Sequence, residues 1–348
     1  MWRNTPTTSA KHDGRFARVA LARAAASFAD YYRTFLTLVL RCLGPRWAYA
    51  LMAGLARRYY DTADAVRSSG EARCRAFLKD WRSEAEIKEI SRQAFVHRIW
   101  NLTDLMLAPR FLRAETYDRY GGRIPEPYRR LLLEAQQHGQ PVILVTTYYG
   151  PYDLLPLFVG HNGVRANAVY RPHPNRRFDR YRQSVRTLAG CEMLTHSGAA
   201  MGISEALANG RTVAILIDPT EVHKGTPISF LGVPSRVPRT VGLLAERYGA
   251  VVAVAAVRRL SESFQFRLVV SDYFGPNDWR EQRDVTDYIT RRYCGAIERL
   301  ILEVPELFLW LRNASAAARR ADHPRGERES GAERIVNGAG LVFAKQKE

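Results

Sequence analysis

From residue 126 to residue 303, short apolar segments alternate with segments of helical character. The apolar segments have the length and β-branched composition of buried strands. They cover residues 141–147, 165–170, 212–217, 251–257 and 264–270. Strands that alternate with helices are typical of an α/β domain whose sheet is covered by helices on both faces. The sequence therefore predicts an α/β fold with a largely parallel central sheet flanked by helices.

Helical segments precede and separate these strands. They are predicted at residues 71–81, 83–107, 126–139, 176–190, 200–210, 239–248 and 284–303. The second of them opens with Ser83 and Glu86, the spacing of a capping box. A loop that contains Gly225, Pro227 and Gly232 is expected after the third strand, because glycine and proline interrupt regular structure.

The N-terminal part of the chain is basic and apolar. The 348 residues carry a net charge of +17, and residues 1–60 hold ten Lys and Arg against two Asp. The apolar run at 35–55 is interrupted by Arg41, Pro45 and Arg46, whereas a spanning helix needs about 20 nearly uninterrupted apolar residues. We expect residues 1–60 to form a helical segment that faces a membrane interface. A buried helix pair and a spanning helix are the alternatives.

The rest of the chain is expected to comprise an α/β domain over residues 61–313 and a flexible tail over residues 314–348, which is rich in Ala, Arg, Gly and Glu. The sequence lacks a P-loop, a dinucleotide fingerprint and a Gly-x-Ser-x-Gly elbow. Its four cysteines are too far apart for a metal knuckle, so no metal and no cofactor is expected. No nucleic-acid-binding motif accompanies the basic charge, which is therefore expected to attract an anionic membrane surface or an acidic carrier protein.

Polar residues and glycines follow three consecutive predicted strands. They are Tyr148, Gly150 and Asp153 after the first strand, Arg171 and Asn175 after the second, and Asp218, Phe230 and Gly232 after the third. Ligands of open α/β sheets bind outside the carboxyl ends of the strands. We therefore predict one site built from these loops, in which all of these residues except Tyr148 and Asp153 bind substrate. Ordinary surface loops are the alternative.

Four sequence blocks resemble, in order and spacing, those of the lipid A biosynthesis lauroyl and myristoyl acyltransferases, a family of the lysophospholipid acyltransferase superfamily. The blocks are VILVTTYYGPYDL, YRPHPNRRFDRYRQSVRTLAG, the segment from ALANG to VVAV, and ERLILEVPELFLWLR, and together they span about residues 80–312. The resemblance implies transfer of a fatty acyl group from acyl carrier protein or coenzyme A to a hydroxyl or amine of a lipid or natural-product acceptor. It also implies a position at the cytoplasmic face of the inner membrane, peripheral or held by a single anchor.

The first block departs from the family at one position. The family has a histidine, four residues, and then Asp or Glu; the histidine removes the proton of the attacking hydroxyl and the carboxylate orients the histidine. In this chain Asp153 occupies the acid position and Tyr148 the histidine position, so these two are the predicted catalytic residues. A phenol ordinarily titrates near pH 10, so only about 0.1% is ionised at neutral pH.

Two consequences of this departure stay open. Another histidine could replace the missing base, and the histidines near the predicted loops are His161, His173, His196 and His223, of which His173 and His223 lie on strand-end loops. Alternatively the chain has lost catalysis and serves as a membrane-associated binding or scaffold partner.

Overall fold

The computed structural model describes residues 9–220 and 225–311, with the side chains of the first helix described from Arg33 onward. The predicted tail at 314–348 and His223 lie outside the described residues. The predicted division of the chain at residues 60 and 61 stays a prediction.

The central sheet has six strands in the order β3-β2-β4-β1-β7-β8, and a separate hairpin joins β5 and β6. The strands are β1 (Val142–Thr146), β2 (Ala166–Tyr170), β3 (Glu192–Thr195), β4 (Thr212–Leu216), β5 (Thr226–Phe230), β6 (Val233–Val237), β7 (Val251–Arg259) and β8 (Phe266–Phe274). All neighbouring strands of the sheet pair in parallel except β7 and β8, which pair antiparallel. The predicted fold class, a mixed α/β fold with a mostly parallel central sheet, is confirmed.

Ten helices of the described chain accompany the strands. They are α1 (Ser9–Thr62), α2 (Asp64–Leu78), α3 (Glu84–Phe111), α4 (Tyr128–Gln137), α5 (Leu155–His161), α6 (Arg176–Arg186), α7 (Ala199–Ala208), α8 (Thr240–Tyr248), α9 (Pro276–Trp279) and α10 (Val285–Glu303). The predicted capping box is present at the start of α3, where Ser83 and Glu86 bond each other's backbone N–H groups.

Helices cover both faces of the sheet, as a buried parallel sheet requires. Along β1, Ile143 and Val145 point into the core formed with α2, α7, α8 and α10, whereas Val142 and Leu144 point into the core formed with α1, α4 and α5. The helix α3 contributes side chains to both cores. Because every residue of β1 is buried, its carboxyl end is held firmly in the middle of the domain.

The predicted loop with Gly225, Pro227 and Gly232 is corrected by the structure. Most of this segment forms the hairpin β5–β6, whose two-residue turn consists of Leu231 and Gly232 with φ values of 50° and 81°. Positive φ at both turn residues matches the twist of a tight hairpin. Pro227 is tolerated because a two-stranded ribbon consists of edge strands only.

The helix α1 packs against α3 and bends within its length. Gly44 has φ 75° and ψ 168°, and Pro45 follows it, so the helical hydrogen-bond pattern is interrupted there. Tyr49 and Tyr60 are buried against the α/β domain. None of the helices in the described part of the chain contains an apolar stretch of the length that a membrane span requires.

A buried polar network joins α1 and α3 to the end of β7. Arg259 donates to the Tyr49 hydroxyl at 3.1 Å, to Oδ1 of Asn101 at 2.9 Å and to Nδ1 of His97 at 2.7 Å, and forms an ion pair with Asp104. Burial, assisted by the Arg259 charge, holds the pKa of His97 well below its usual value. His97 is therefore a neutral acceptor for Arg259.

Candidate active site

The loop that follows β1 is fixed by backbone contacts on two sides. Gly150 donates its N–H to the Leu307 carbonyl at 2.8 Å, and Leu309 donates its N–H to the Tyr148 carbonyl at 2.9 Å. Gly150 has φ 54°, and a Cβ at this position would lie 2.0 Å from the Val257 carbonyl oxygen. The position therefore requires glycine, and the loop has little room to move.

Asp153 lies in the turn before α5 and is only 5% exposed. Its Oδ1 atom accepts from Nη2 of Arg182 at 2.8 Å and from Nε of Arg186 at 3.0 Å, and Nη2 of Arg186 also donates to it. Burial by itself would raise the pKa of Asp153, but the attraction of Arg186 and Arg182 outweighs it, so the net effect lowers this pKa. Asp153 is thus a buried carboxylate held in its ionised form.

The two arginines come from one face of α6. Residues four apart lie one turn apart on the same side of a helix, which brings the side chains of Arg182 and Arg186 to one carboxylate. Asn175 caps this helix by accepting from the backbone N–H groups of Arg177 and Phe178, each at 3.0 Å. The cap fixes the first turn of α6 and thereby the direction in which the arginines extend.

Tyr148 is half-buried beside a second tyrosine of the same loop. Its ring meets that of Tyr152 edge to face, with 5.1 Å between the ring centroids. Burial raises the pKa of Tyr152, and the charge of Asp153 raises it further, so Tyr152 is a neutral phenol. The predicted catalytic residues Tyr148 and Asp153 therefore lie on the same rigid loop. The neutral phenol of Tyr152 directly precedes Asp153 in the chain and packs against Tyr148.

The other predicted site residue of the second loop, Arg171, is exposed at the end of β2. Burial lowers the pKa of His196, and the nearby charge of Arg171 lowers it further. Arg171 and His196 thus share the surface beside β2 and β3. The substrate-binding roles of Arg171 and Asn175 stay predictions.

The residues predicted after the third strand have different environments. Asp218 accepts from the backbone N–H and the hydroxyl of Thr220, at 3.0 and 2.6 Å. Phe230 is fully buried and meets Phe77 of α2 with 6.5 Å between ring centroids. Gly232 is exposed in the hairpin turn. Phe230 contributes to the core in this arrangement, and substrate binding by all three residues stays a prediction.

His161 and His173 make their hydrogen bonds away from Asp153. His161 lies 3.3 Å from the Leu112 carbonyl oxygen. His173 accepts at Nδ1 from the backbone N–H of Asn175 at 3.1 Å, so in its neutral form the proton sits on the outer nitrogen Nε2. In this part of the chain the structure therefore assigns no histidine the position of a base oriented by Asp153.

Arg182, Arg186 and Tyr152 were not among the predicted site residues. The two arginines stand four apart in the segment RRFDRYRQSVR, a spacing that places both on one helix face. The sequence shows this spacing, but the segment contains three further arginines, so the spacing alone does not tell which two point inward. Within residues 33–220 and 225–311, no three His, Cys, Asp or Glu side chains group so as to hold a metal ion.

Comparison with known proteins identifies the family. No curated protein matched the chain in sequence. The model of the bacterial lipid A biosynthesis acyltransferases matches residues 20–314, a range that includes the whole sheet and the loop that carries Tyr148 and Asp153. Members of this family transfer acyl groups to lipid acceptors. With most of its length matched, the chain belongs to the bacterial lipid A biosynthesis acyltransferase family.

Proposed function

We propose that the protein transfers a fatty acyl group from acyl carrier protein or coenzyme A to a hydroxyl or amine of a lipid or small-molecule acceptor, at the cytoplasmic face of the inner membrane. The observation that carries the proposal is the state of Asp153. It occupies the acid position of the family motif, and it is buried, ionised and held by Arg182 and Arg186 at the carboxyl end of β1.

The burial of three charges at a strand end supports a functional site. Removing a carboxylate and two guanidinium groups from water costs several kcal/mol for each ion, and their attraction offsets this cost only in good geometry. Titratable groups with a shifted pKa in the loop after a strand are typical of active sites, and the pKa of Asp153 is lowered. Asp153 also lies on the same loop as Gly150, a position at which any side chain would collide with the Val257 carbonyl oxygen.

Membrane association is supported by the outer face of α1. Four large exposed side chains follow one another at intervals of four residues, and we name this set the α1 stripe: Trp47, Leu51, Leu55 and Tyr59. Arg46 is exposed and places its guanidinium 5.7 Å from the Trp47 ring centroid. Aromatic and aliphatic side chains beside arginine are suited to the headgroup region of an anionic bilayer.

The charge of the protein supports an anionic acyl donor. The net charge is +17, and the exposed residues of α6 include Arg176 and Arg180, on the helix that carries Arg182 and Arg186 to Asp153. An acidic carrier protein or the phosphates of coenzyme A would be attracted to this surface.

A second candidate function is that of an inactive membrane-associated binding or scaffold partner. It is favoured by one observation: Oδ1 of Asp153 is already engaged by two arginines. The prediction that Tyr148 occupies the position of the family's base agrees with this function. An acyl chain, a carrier protein or an active family member would then be the bound partner.

One assay separates these two functions. The purified protein is incubated with acyl carrier protein or coenzyme A that carries a radiolabelled acyl group. A total extract of the organism that encodes the chain supplies the acceptor. We expect labelled product from the wild type and loss of most of it in Asp153→Ala, with circular dichroism of the variant as the folding control. If the wild type is inert and Tyr148→His alone gains activity, the scaffold function stands. A folded Asp153→Ala variant with full activity would remove Asp153 from the site.

A further inference from the structure

We propose that Arg33 of α1 is a positioning residue of the active site. It holds the ring of Phe178, and through that ring it keeps Arg182 paired with Asp153. The inference rests on the proposed function in one respect, because it takes Asp153 and its arginines as part of the active site. It starts from Arg182, which has two acidic neighbours and forms its ion pair with Asp153.

Arg182 is attracted by two carboxylates. Its Nη2 atom donates to Oδ1 of Asp153 at 2.8 Å. Burial acts against the charge of Arg182, whereas Asp153 and, more weakly, Asp179 raise its pKa. An acid and an arginine three residues apart are neighbours on a helix surface, so Asp179 is a competing partner. Asp179 instead accepts from the backbone N–H of His173 at 2.8 Å. Which carboxylate Arg182 bonds therefore also depends on how its side chain is packed.

The ring of Phe178 lies beside the guanidinium of Arg182. The Cζ atom of Arg182 is 5.9 Å from the ring centroid, and the two residues are one helical turn apart on α6. The same ring meets His173 edge to face, with 4.9 Å between ring centroids, and Cζ of Arg33 is 5.9 Å from its centroid. Because packed side chains stay in the rotamers that their neighbours permit, a fixed ring limits the positions open to Arg182.

Arg33 reaches this face of α6 from α1 and contacts two rings. Besides Phe178 it approaches Tyr181, with 5.0 Å between its Cζ atom and the ring centroid. Tyr181 is held in turn, because its hydroxyl donates to the Leu105 carbonyl of α3 at 3.0 Å. A guanidinium over an aromatic ring is attracted more strongly where both are partly withdrawn from water, and Arg33 is half-buried. Arg33 thus holds the side of α6 that carries Arg182.

The segment of α1 before Gly44 has little else to hold it on its outer side, where the large apolar side chains of Phe35 and Leu38 are exposed. Its contacts with the protein come from the inner side, where Arg33 meets α6 and Nε of Arg41 donates to the Met106 carbonyl at 2.8 Å. The position of this part of α1 is therefore linked to the active site through Arg33.

Kinetics of acyl transfer distinguish positioning from a merely structural role. We expect Arg33→Met to lower kcat about tenfold or more while KM for the acyl donor stays within about twofold, because a displacement of about 1 Å at the reacting groups can cost about 100-fold. Adding Asp179→Asn should restore most of kcat, since it removes the competing charge and keeps an acceptor for the His173 N–H. Arg57→Met, which breaks the pair of α1 with Glu262, should leave kcat unchanged.

Two kinetic results would overturn the inference. One is unchanged kcat in a folded Arg33→Met protein, and the other is a loss of kcat that Asp179→Asn does not restore. If Arg33→Met fails to fold, Arg33→Lys takes its place, because it keeps the cation and loses the flat guanidinium. The same direction of change is expected, with a smaller loss.

A second measurement does not depend on acyl transfer. Urea midpoints of the wild type, Arg33→Met, Asp153→Asn and the double variant form a double-mutant cycle. We expect Asp153→Asn to lower the midpoint less in Arg33→Met than in the wild type, because Arg182 has already left Asp153. The same cycle with Arg57→Met should be additive. Additivity in both cycles would overturn the inference, whereas coupling in a protein without any transfer activity would overturn the proposed function alone.

Discussion

Asp153 and Arg186 form a buried ion pair in which both Nε and Nη2 of Arg186 donate to the same oxygen of Asp153. Arg182 donates to that oxygen as well. We predicted Asp153 to be the acid that orients a catalytic base, and in the structure it is the anchor of two cations. Because a buried charge without its partner is costly, the site and the stability of the fold depend on the same carboxylate.

Replacing this carboxylate should destabilise the protein strongly. We expect Asp153→Asn to lower the free energy of unfolding by about 3–5 kcal/mol, because two buried guanidinium groups lose their counter-charge. Urea denaturation followed by circular dichroism measures the change. The control is Asp287→Asn, which breaks the more exposed pair with Arg291 and should cost about 1 kcal/mol or less. Equal costs would contradict the assigned role of the buried pair.

The same pair should give the protein a distinct acid sensitivity. The pKa of Asp153 is lower in the folded state than the value of about 3.9 expected for an unfolded aspartate. The stability from its ionised form is thus fully present above about pH 5 and is lost as the pH falls below 3.9 through the folded pKa. The difference in unfolding free energy between wild type and Asp153→Asn should therefore shrink between pH 5 and pH 3. A constant difference over that range would refute the assignment.

Gly150 should be far less replaceable than another glycine of similar backbone conformation. Gly150 and Gly249 have φ values of 54° and 59°, but only Gly150 would place a Cβ against backbone, 2.0 Å from the Val257 carbonyl oxygen. Gly249→Ala should cost about 1–2 kcal/mol from the left-handed conformation alone. Gly150→Ala should cost more, because the loop must also shift. Urea unfolding midpoints for both variants test this, and similar values would show that the loop is not confined.

The buried network at the end of β7 should hold α1 in place. Arg259→Met leaves Asp104 buried without a counter-charge, and we expect a loss of about 3–5 kcal/mol. Arg57→Met is the matched control, since Arg57 lies on α1 and pairs with the exposed Glu262. Thermal unfolding compares the two variants, and an Arg259→Met protein as stable as the control would show that the network is dispensable.

The α1 stripe should govern binding to lipid vesicles. We expect the double variant Trp47→Ser and Leu51→Ser to bind vesicles of anionic phospholipid at least about tenfold more weakly than wild type, because each side chain contributes about 2 kcal/mol when buried. Co-sedimentation measures the bound fraction. Met201→Ser provides the control, because Met201 is 79% exposed on α7, away from the stripe. If both variants bind equally, the membrane-facing role of α1 fails.

The sequence was a good guide wherever a strand is buried on both faces. In β1 and β7 a continuous apolar run has only one stable location, inside a covered parallel sheet, so their existence could be predicted from composition alone. The strand β3 was missed because its residues are exposed or half-buried, and an edge strand of this kind needs no apolar run. The hairpin β5–β6 was missed because proline and glycine usually interrupt strands, whereas here Pro227 lies within β5 and Gly232 in the turn.

The candidate site was predictable only in part for a different reason. Tyr148, Gly150 and Asp153 are contiguous in sequence, so one motif revealed them together. Arg182 and Arg186 reach Asp153 from a separate element, and only the packing of α6 decides which of its arginines point inward. A sequence motif gives the residue types at a site, whereas the ionic partners depend on tertiary contacts.

The backbone bonds from Leu307 and Leu309 to the loop after β1 also bear on how the protein is made. Strand β1 emerges from the ribosome well before these residues, which follow roughly 160 positions later in the chain. Until they arrive, the Gly150 N–H and the Tyr148 carbonyl lack their native partners, so the loop cannot take up its final conformation. The site therefore cannot be completed before Leu309 has left the ribosome, and a nascent chain that already has its central strands is not yet competent to bind.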